Sequence, residues 1–347
     1  MTTVADSRPS SSPGPARSTP VRRPGSVRRT TTHDSTRPDG LDGRVVVVAR
    51  GRDLLTRDDV STVELDAARV EIVAGPFLDG TLRHVATDPP HEGVASLAGR
   101  SAYAGFRRAV DEVFPGERDS GSVRYQLFDD LPTALMLSGR VLRAEGVGFG
   151  SSSEGPSLAE RKEGHGPPID MCAGWVAGGA AVAGYSDQGP PLFPAPDAPE
   201  VVPDDDPLAW HEHPALPPHA TRRRRRLDLW RDGGLLQLDS FFRDSHVDGA
   251  GRESVVHEYS VRAEVDLDTL EVVHCHAEWG ELPFPECPGA LASAARVVGE
   301  STSGLRRHVL KTMVGPATCT HLNDQLRSFE DAGALLRMLD EGLRTGP

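Results

Sequence analysis

The sequence predicts an α+β fold, a tandem duplication of a unit in which a small antiparallel sheet is covered by helices on one face. Two observations carry this. Alternating apolar and polar runs are followed by helical patterns in one fixed order, and that order occurs twice. A Pro- and Asp-rich span separates the two occurrences. In chain order the reading gives a disordered tail over 1–38, a first repeat over 39–149, a linker over 150–222 and a second repeat over 223–342.

The first 30 residues are dominated by Ser, Pro, Thr and Arg. They hold no apolar stretch of the kind a secretory signal needs, so a solvated tail is expected. Asp39-Gly40-Leu41 then leads into the strand run VVVV (45–48), matched by Asp232-Gly233-Gly234-Leu235 leading into LLQLDSFF (235–242). ARVEIVAGPFLDGTLRHVATDPP (68–90) and SVRAEVDLDTLEVVHCHAEWGELP (260–283) each read as two alternating strands joined by a tight turn. Helices follow in 97–116 and 297–315, with Gly-Phe-Arg-Arg at 105–108 facing Gly-Leu-Arg-Arg at 304–307. YQLFDDLPTAL (125–135) and THLNDQLRSF (320–329) close the two repeats. The linker contains PPLFPAPDAPEVVPDDDP, extended and solvated by composition. Within it, 169–185 has the apolar character of an ordered insert that packs on a neighbouring domain.

Composition excludes several classes. Net charge is −13, which argues against a nucleic-acid partner. Lys occurs only as Lys162 and Lys311 among 38 basic residues, a mark of codon bias in a high-GC genome. Four cysteines rule out a disulfide framework. No apolar run approaches the roughly 18 residues of a bilayer span. The expectation is a cytoplasmic protein with a small-molecule substrate, no nucleic acid and no membrane, and with a homo-oligomer left open.

The repeats sort the reactive residues. His257, Cys287, Cys319 and His321 fall in the second repeat. Opposite them, Arg124 faces Cys319, Gln126 faces His321 and Asp66 falls near His257. One site per chain is therefore expected, in the second repeat. Cys287 and Cys319 stand at expected helix starts, where the dipole and free N–H groups favour thiolate. Thr318 or Thr320 is the expected cap. Two thiolates and two imidazoles make a tetrahedral zinc set, and three of them leave an open position for water or substrate. Consecutive helical positions would turn Cys319 and His321 about 200° apart, so both converge only if Cys319 lies at or before the cap. Asp239 and Asp244, on the preceding strand and its exit, would orient a ligand imidazole or act as general base.

Other candidates read as structural. His274 and His276 alternate with Cys275, which turns the imidazoles one way and the thiol the other. His211-x-His213 reads as solvated linker, Cys172 as a buried residue of the insert, and Arg222–Arg226 as a solvated hinge or a clamp on the acidic linker.

RDGGLLQLDSFFRD (231–244), VVHEYSVRAEVD (255–266), PFPECP (283–288) and GPATCTHLNDQL (315–326) resemble the bacterial family called Domain of Unknown Function 2889. GRDLLTRDDV (51–60), FDDLPTALMLSG (128–139) and DMCAGW (170–175) resemble its longer actinobacterial form. The resemblance carries no established activity. The order of strand, hairpin, Cys at a helix start, helix and a second such Cys is also similar to NifU-like iron–sulfur scaffold proteins. That similarity implies metal binding, with Cys287 and Cys319 at the positions of the second and third family cysteines and His257 at the position of the first Cys or the Asp. Three functions are consistent with these residues. The leading one is a metal-dependent enzyme, with zinc, on a small organic substrate. The others are a metal-independent Cys319 nucleophile acting on an acyl or thioester carbon, and a non-enzymatic metal-binding accessory or partner-binding protein.

Overall fold

A computed structural model describes residues 12–76, 79–147, 167–186 and 189–344. The strands are β1 (Ser26–Thr36), β2 (Val45–Thr56), β3 (Thr62–Ala74), β4 (Leu82–Asp88), β5 (Ala220–Asp232), β6 (Leu235–Val247), β7 (Glu253–Asp266) and β8 (Val272–Trp279). The helices are α1 (Phe106–Val113), α2 (Glu117–Ser120), α3 (Val123–Leu137), α4 (Gly139–Ala144), α5 (Ala180–Ala183), α6 (Leu305–Thr312), α7 (Thr320–Arg327) and α8 (Ala332–Arg344). Turns of 3-10 helix occupy Glu92–Leu97 and Cys287–Val297. Among the described residues, no helix is long and apolar enough to cross a membrane.

The α+β class holds, but the sheets differ from expectation. Each half contributes four strands rather than three, and all eight form one antiparallel sheet in the order β4-β3-β2-β1-β5-β6-β7-β8. The extra strands are β1 and β5, which pair with each other at the centre from Ser26 opposite Trp230 to Ser35 opposite Thr221. β1 lies in the segment expected to be a disordered tail. Its sequence, SVRRTTTHDST, has no apolar stripe, so nothing in its pattern announces a buried strand. It is buried all the same, because polar partners meet it on both faces.

One face carries the helices. Val27, Leu227, Leu229, Leu238, Phe242, Tyr259 and Val261 form the core of the second half with α6, α7 and α8. Val47, Val70, Ile72, Phe106 and Phe128 form that of the first half with α1 and α3. The other face of the central strands is covered by parts of the expected tail and linker. There Trp210 and Val201 pack on Phe241, and the Trp210 indole N–H donates to Thr19 Oγ1 at 2.8 Å. The expected ordered insert packs on the second half. The Ala173 amide donates to the Thr318 carbonyl at 2.8 Å, and Trp175 meets Phe284 edge-on. Of the expected linker, residues 150–166, 187 and 188 lie outside the described residues.

The Arg222–Arg226 run is neither hinge nor solvated. It is the middle of β5, buried throughout. Strand alternation sends Arg223 and Arg225 to the helix face and the other three to the opposite face. Each side chain finds a carboxylate. Arg223 meets Asp244 at 2.9 Å, Arg225 meets Asp130 at 2.5 Å, Arg222 meets Asp34 at 2.6 Å, Arg224 meets Glu200 at 2.8 Å and Arg226 meets Asp239 at 2.5 Å. A buried guanidinium is tolerable only when paired and hydrogen-bonded, and these are. His211 is likewise buried rather than solvated, held between the hydroxyls of Thr30 (2.8 Å) and Thr32 (2.9 Å).

Candidate metal centre

The site is built where β6, β7 and α7 meet on the helix face. Asp244 near the end of β6 pairs in register with His257 on β7. Leu238, Phe242 and Asp244 alternate inward along β6, which places the carboxylate beneath the start of α7. α7 begins after a Gly-Pro turn, with Cys319 itself at the N-cap in extended conformation rather than Thr318 or Thr320. That backbone bend removes the angular separation a continuous helix would impose, so Cys319 and His321 both face the sheet.

Three candidate ligand atoms, one each from Asp244, His257 and His321, lie within 4.8 Å of one another. His257 Nδ1 is 3.2 Å from Asp244 Oδ2 and His321 Nε2 is 3.7 Å from the same oxygen. The two imidazoles are stacked, with centroids 3.8 Å apart and planes inclined by 25°. Asp244 is fully buried and the imidazoles are half-buried, so the cluster opens toward solvent through its histidines. Arg223 grips both oxygens of Asp244, at 2.9 and 3.1 Å, and its guanidinium lies 4.8 Å over the Phe242 ring.

The protonation states follow from this arrangement. Burial would raise the Asp244 carboxyl, but Arg223, with His257 behind it, holds it well below the usual carboxylate range. Burial pushes His257 below its ordinary value, with Asp244 opposing. One carboxylate and a neutral imidazole are the forms that bind a divalent cation.

Cys319 borders the cluster, its Sγ 3.9 Å from His321 Nδ1, and the Tyr259 hydroxyl donates to it at 3.3 Å. Burial works to raise this thiol, yet His321 and Tyr259 outweigh it and hold it below the ordinary cysteine value. The other expected thiol behaves differently. Cys287 opens the Cys287–Val297 turn, packs beside Gly174, and is pushed well above its ordinary value by burial. The expected set of His257, Cys287, Cys319 and His321 is thus not the cluster that forms. Among the described residues, the group that meets is Asp244 with the two histidines. Asp239 is also elsewhere: five residues from Asp244, it faces the opposite side of the sheet and pairs with Arg226 and, at 3.7 Å, with Arg262. His274 and His276 are exposed while Cys275 is buried, as alternation requires.

Two contributors escape sequence reasoning. Arg223 is hidden in a run of five identical residues whose alternation is visible only once the strand is known. Tyr259 carries a usable signal, since His257-x-Tyr259 on a strand puts both side chains on one face.

No curated protein and no solved structure matches the chain. The sequence model of one family, described as protein of unknown function (DUF2889), matches residues 221–334. That span runs from β5 into α8 and contains Arg223, Asp244, His257, Cys319 and His321. The segment that carries the candidate site, residues 221–334, is therefore similar to the DUF2889 family.

Proposed function

We propose that the second half is a metal-dependent enzyme centre, with a divalent ion, zinc by ligand type, held by Asp244, His257 and His321. The observation that supports this reading is the approach of one carboxylate oxygen and two imidazole nitrogens to within 4.8 Å of one another. Three protein ligands leave a coordination position for water or for a small organic substrate, and a bound ion would supply Lewis acidity there. Arg223 keeps Asp244 ionised and fixed, and Phe242 lies against His321 with centroids 6.0 Å apart. The reading places the enzyme in the cytoplasm and derives the chain from a tandem duplication in which the first half lost or never gained the imidazoles. Elemental analysis of the purified protein tests it. Stoichiometric metal that disappears in His257→Ala and His321→Ala is expected; absence of metal from the wild-type protein would remove the reading.

A second reading is favoured by one specific alignment. Cys319 Sγ, His321 and Asp244 stand in line at 3.9 and 3.7 Å, the order of nucleophile, base and orienting carboxylate. On this reading His321 takes the Cys319 proton and the sulfur adds to the acyl carbon of an ester or thioester. The carbon–oxygen or carbon–sulfur bond then breaks to release an alcohol or thiol that takes that proton, leaving an acyl thioester on Cys319 that water hydrolyses. Stoichiometric alkylation of Cys319 at neutral pH, unaffected by chelators and abolished in His321→Ala, is its signature.

A further inference from the structure

Arg140 lies on α4, the short helix of the first half that packs on β5 and β6. Among the described residues its buried Nε has no hydrogen-bond partner and no carboxylate offsets its burial. This sets it apart from the five arginines of β5, each of which holds an acid. Burial, with Arg143 nearby, lowers Arg140 to about 10, so it still carries its charge at neutral pH. It stands close enough to disfavour a proton on His257 and on His246. His246 follows Asp244 on the same face of β6, and its Nε2 is also buried without a partner among the described residues. A buried guanidinium Nε and a buried imidazole Nε2, each without a hydrogen-bond partner among the described residues, are costly unless something else satisfies them.

We propose that the substrate of this centre carries an oxyanion, a phosphate or a carboxylate, which Arg140 and His246 bind while its reacting part reaches Asp244, His257 and His321. The proposal rests on those three residues being the functional site. It also gives the first half a role, because α4 delivers the anion-binding cation across the sheet to a site in the second half. An arginine fork suits either group, since both present two oxygens in one plane.

The test is titration of the purified full-length protein with inorganic phosphate and, separately, with acetate, followed by calorimetry. Binding of at least one is expected, weakened roughly 10- to 100-fold in Arg140→Ala and partly kept in Arg140→Lys, which retains charge without the fork. The tighter of the two anions identifies the group. No binding of either, or equal binding in Arg140→Ala, overturns the proposal. Should Arg140→Ala fail to fold, phenylglyoxal modification of the wild-type protein, mapped by mass spectrometry, gives the same decision. Protection of Arg140 by phosphate or acetate supports the site, and unchanged modification overturns it. Metal content is measured on the same samples. Arg140-dependent anion binding by wild-type protein that contains no metal keeps the oxyanion site and removes the metal, whereas bound metal without anion binding does the reverse.

Discussion

The two halves place equivalent strands in equivalent register, and the comparison separates scaffold from site. In the first half Arg29 on β1 pairs with Asp53 on β2, and Asp53 stands opposite Asp66 on β3 at a register shift. In the second half Arg223 on β5 pairs with Asp244 on β6, and Asp244 stands opposite His257 on β7 at a register shift. Both Arg–Asp pairs are buried and doubly hydrogen-bonded, with Arg29 bonds to Asp53 of 2.7 and 2.6 Å. The difference lies above them. Asp66 accepts from the Val123 amide at 2.8 Å and simply anchors the start of α3. At the same place the second half presents His257, His321 and Cys319. Gly51 deepens the contrast, because a Cβ there would come within 2.6 Å of Val123 Cγ1, so α3 settles onto bare backbone. Phe242 stands two residues before Asp244, as Gly51 does before Asp53, and lies against His321 instead. The Arg–Asp pair is therefore shared structure, and, among the described residues, the stacked imidazoles with their aromatic support at this place belong to the second half alone.

The strongest attempt to break this comparison removes the shared pair. Asp53→Ala and Asp244→Ala each take the doubly hydrogen-bonded carboxylate from a buried arginine, leaving it one acid, Asp331 or Asp324, and are expected to cost about 3–5 kcal/mol in denaturant unfolding. Only Asp244→Ala should also abolish metal binding; loss of metal in both would mean that the pair is not merely structural. Gly51→Ala comes next, at roughly 1–3 kcal/mol, since Val123 and the backbone it sits on must shift. His257→Ala and His321→Ala should remove bound metal with stability changes of about 1 kcal/mol or less, as both rings are partly exposed, whereas Asp66→Ala should leave metal content untouched. Equal metal loss in Asp66→Ala would contradict a single-site chain.

Acid sensitivity offers a finer probe. His33 and His211 are buried on β1 and against it, and burial lowers both below their ordinary value of 6.5. In the unfolded chain they take up protons as pH falls through about 6.5, while in the folded chain they do not, so stability must fall with pH below that point. His211→Gln should flatten this acid-side slope in thermal melts, and an unchanged slope would show that the imidazole is not the titrating group. The smallest effect concerns thiol rates. Cys319 should alkylate ahead of Cys172 and Cys275, whose thiols burial pushes up to about 11 and about 12.

The reach of the sequence differs from element to element. Strands with alternating apolar residues, such as those of 68–74 and 260–266, were legible because one face of each meets the core. The asymmetry of the halves was legible as well, since chemistry-bearing residues align with inert ones, and Asp66 does face Asp53 as His257 faces Asp244. β1 was not legible. Its burial depends on carboxylates and helix ends up to 302 residues away, as between Arg29 and Asp331. Cys287 was misplaced for a related reason: a helix start says that a thiol can ionise but not whether burial forbids it.

Composition and periodicity by themselves determined the class, the order of the elements other than the central strands β1 and β5, and the half in which the candidate residues lie, because those follow from local pattern and from side chains that are present or absent. Tertiary structure alone decided which residues meet. It joined the two halves through β1 and β5, paired every arginine of the β5 run, turned Asp239 away and Asp244 inward, and brought Arg140 across from the other half. Convergence is a long-range property. It depends on strand register and on which charges can find partners once water is excluded, and neither is written in the spacing of residues along the chain.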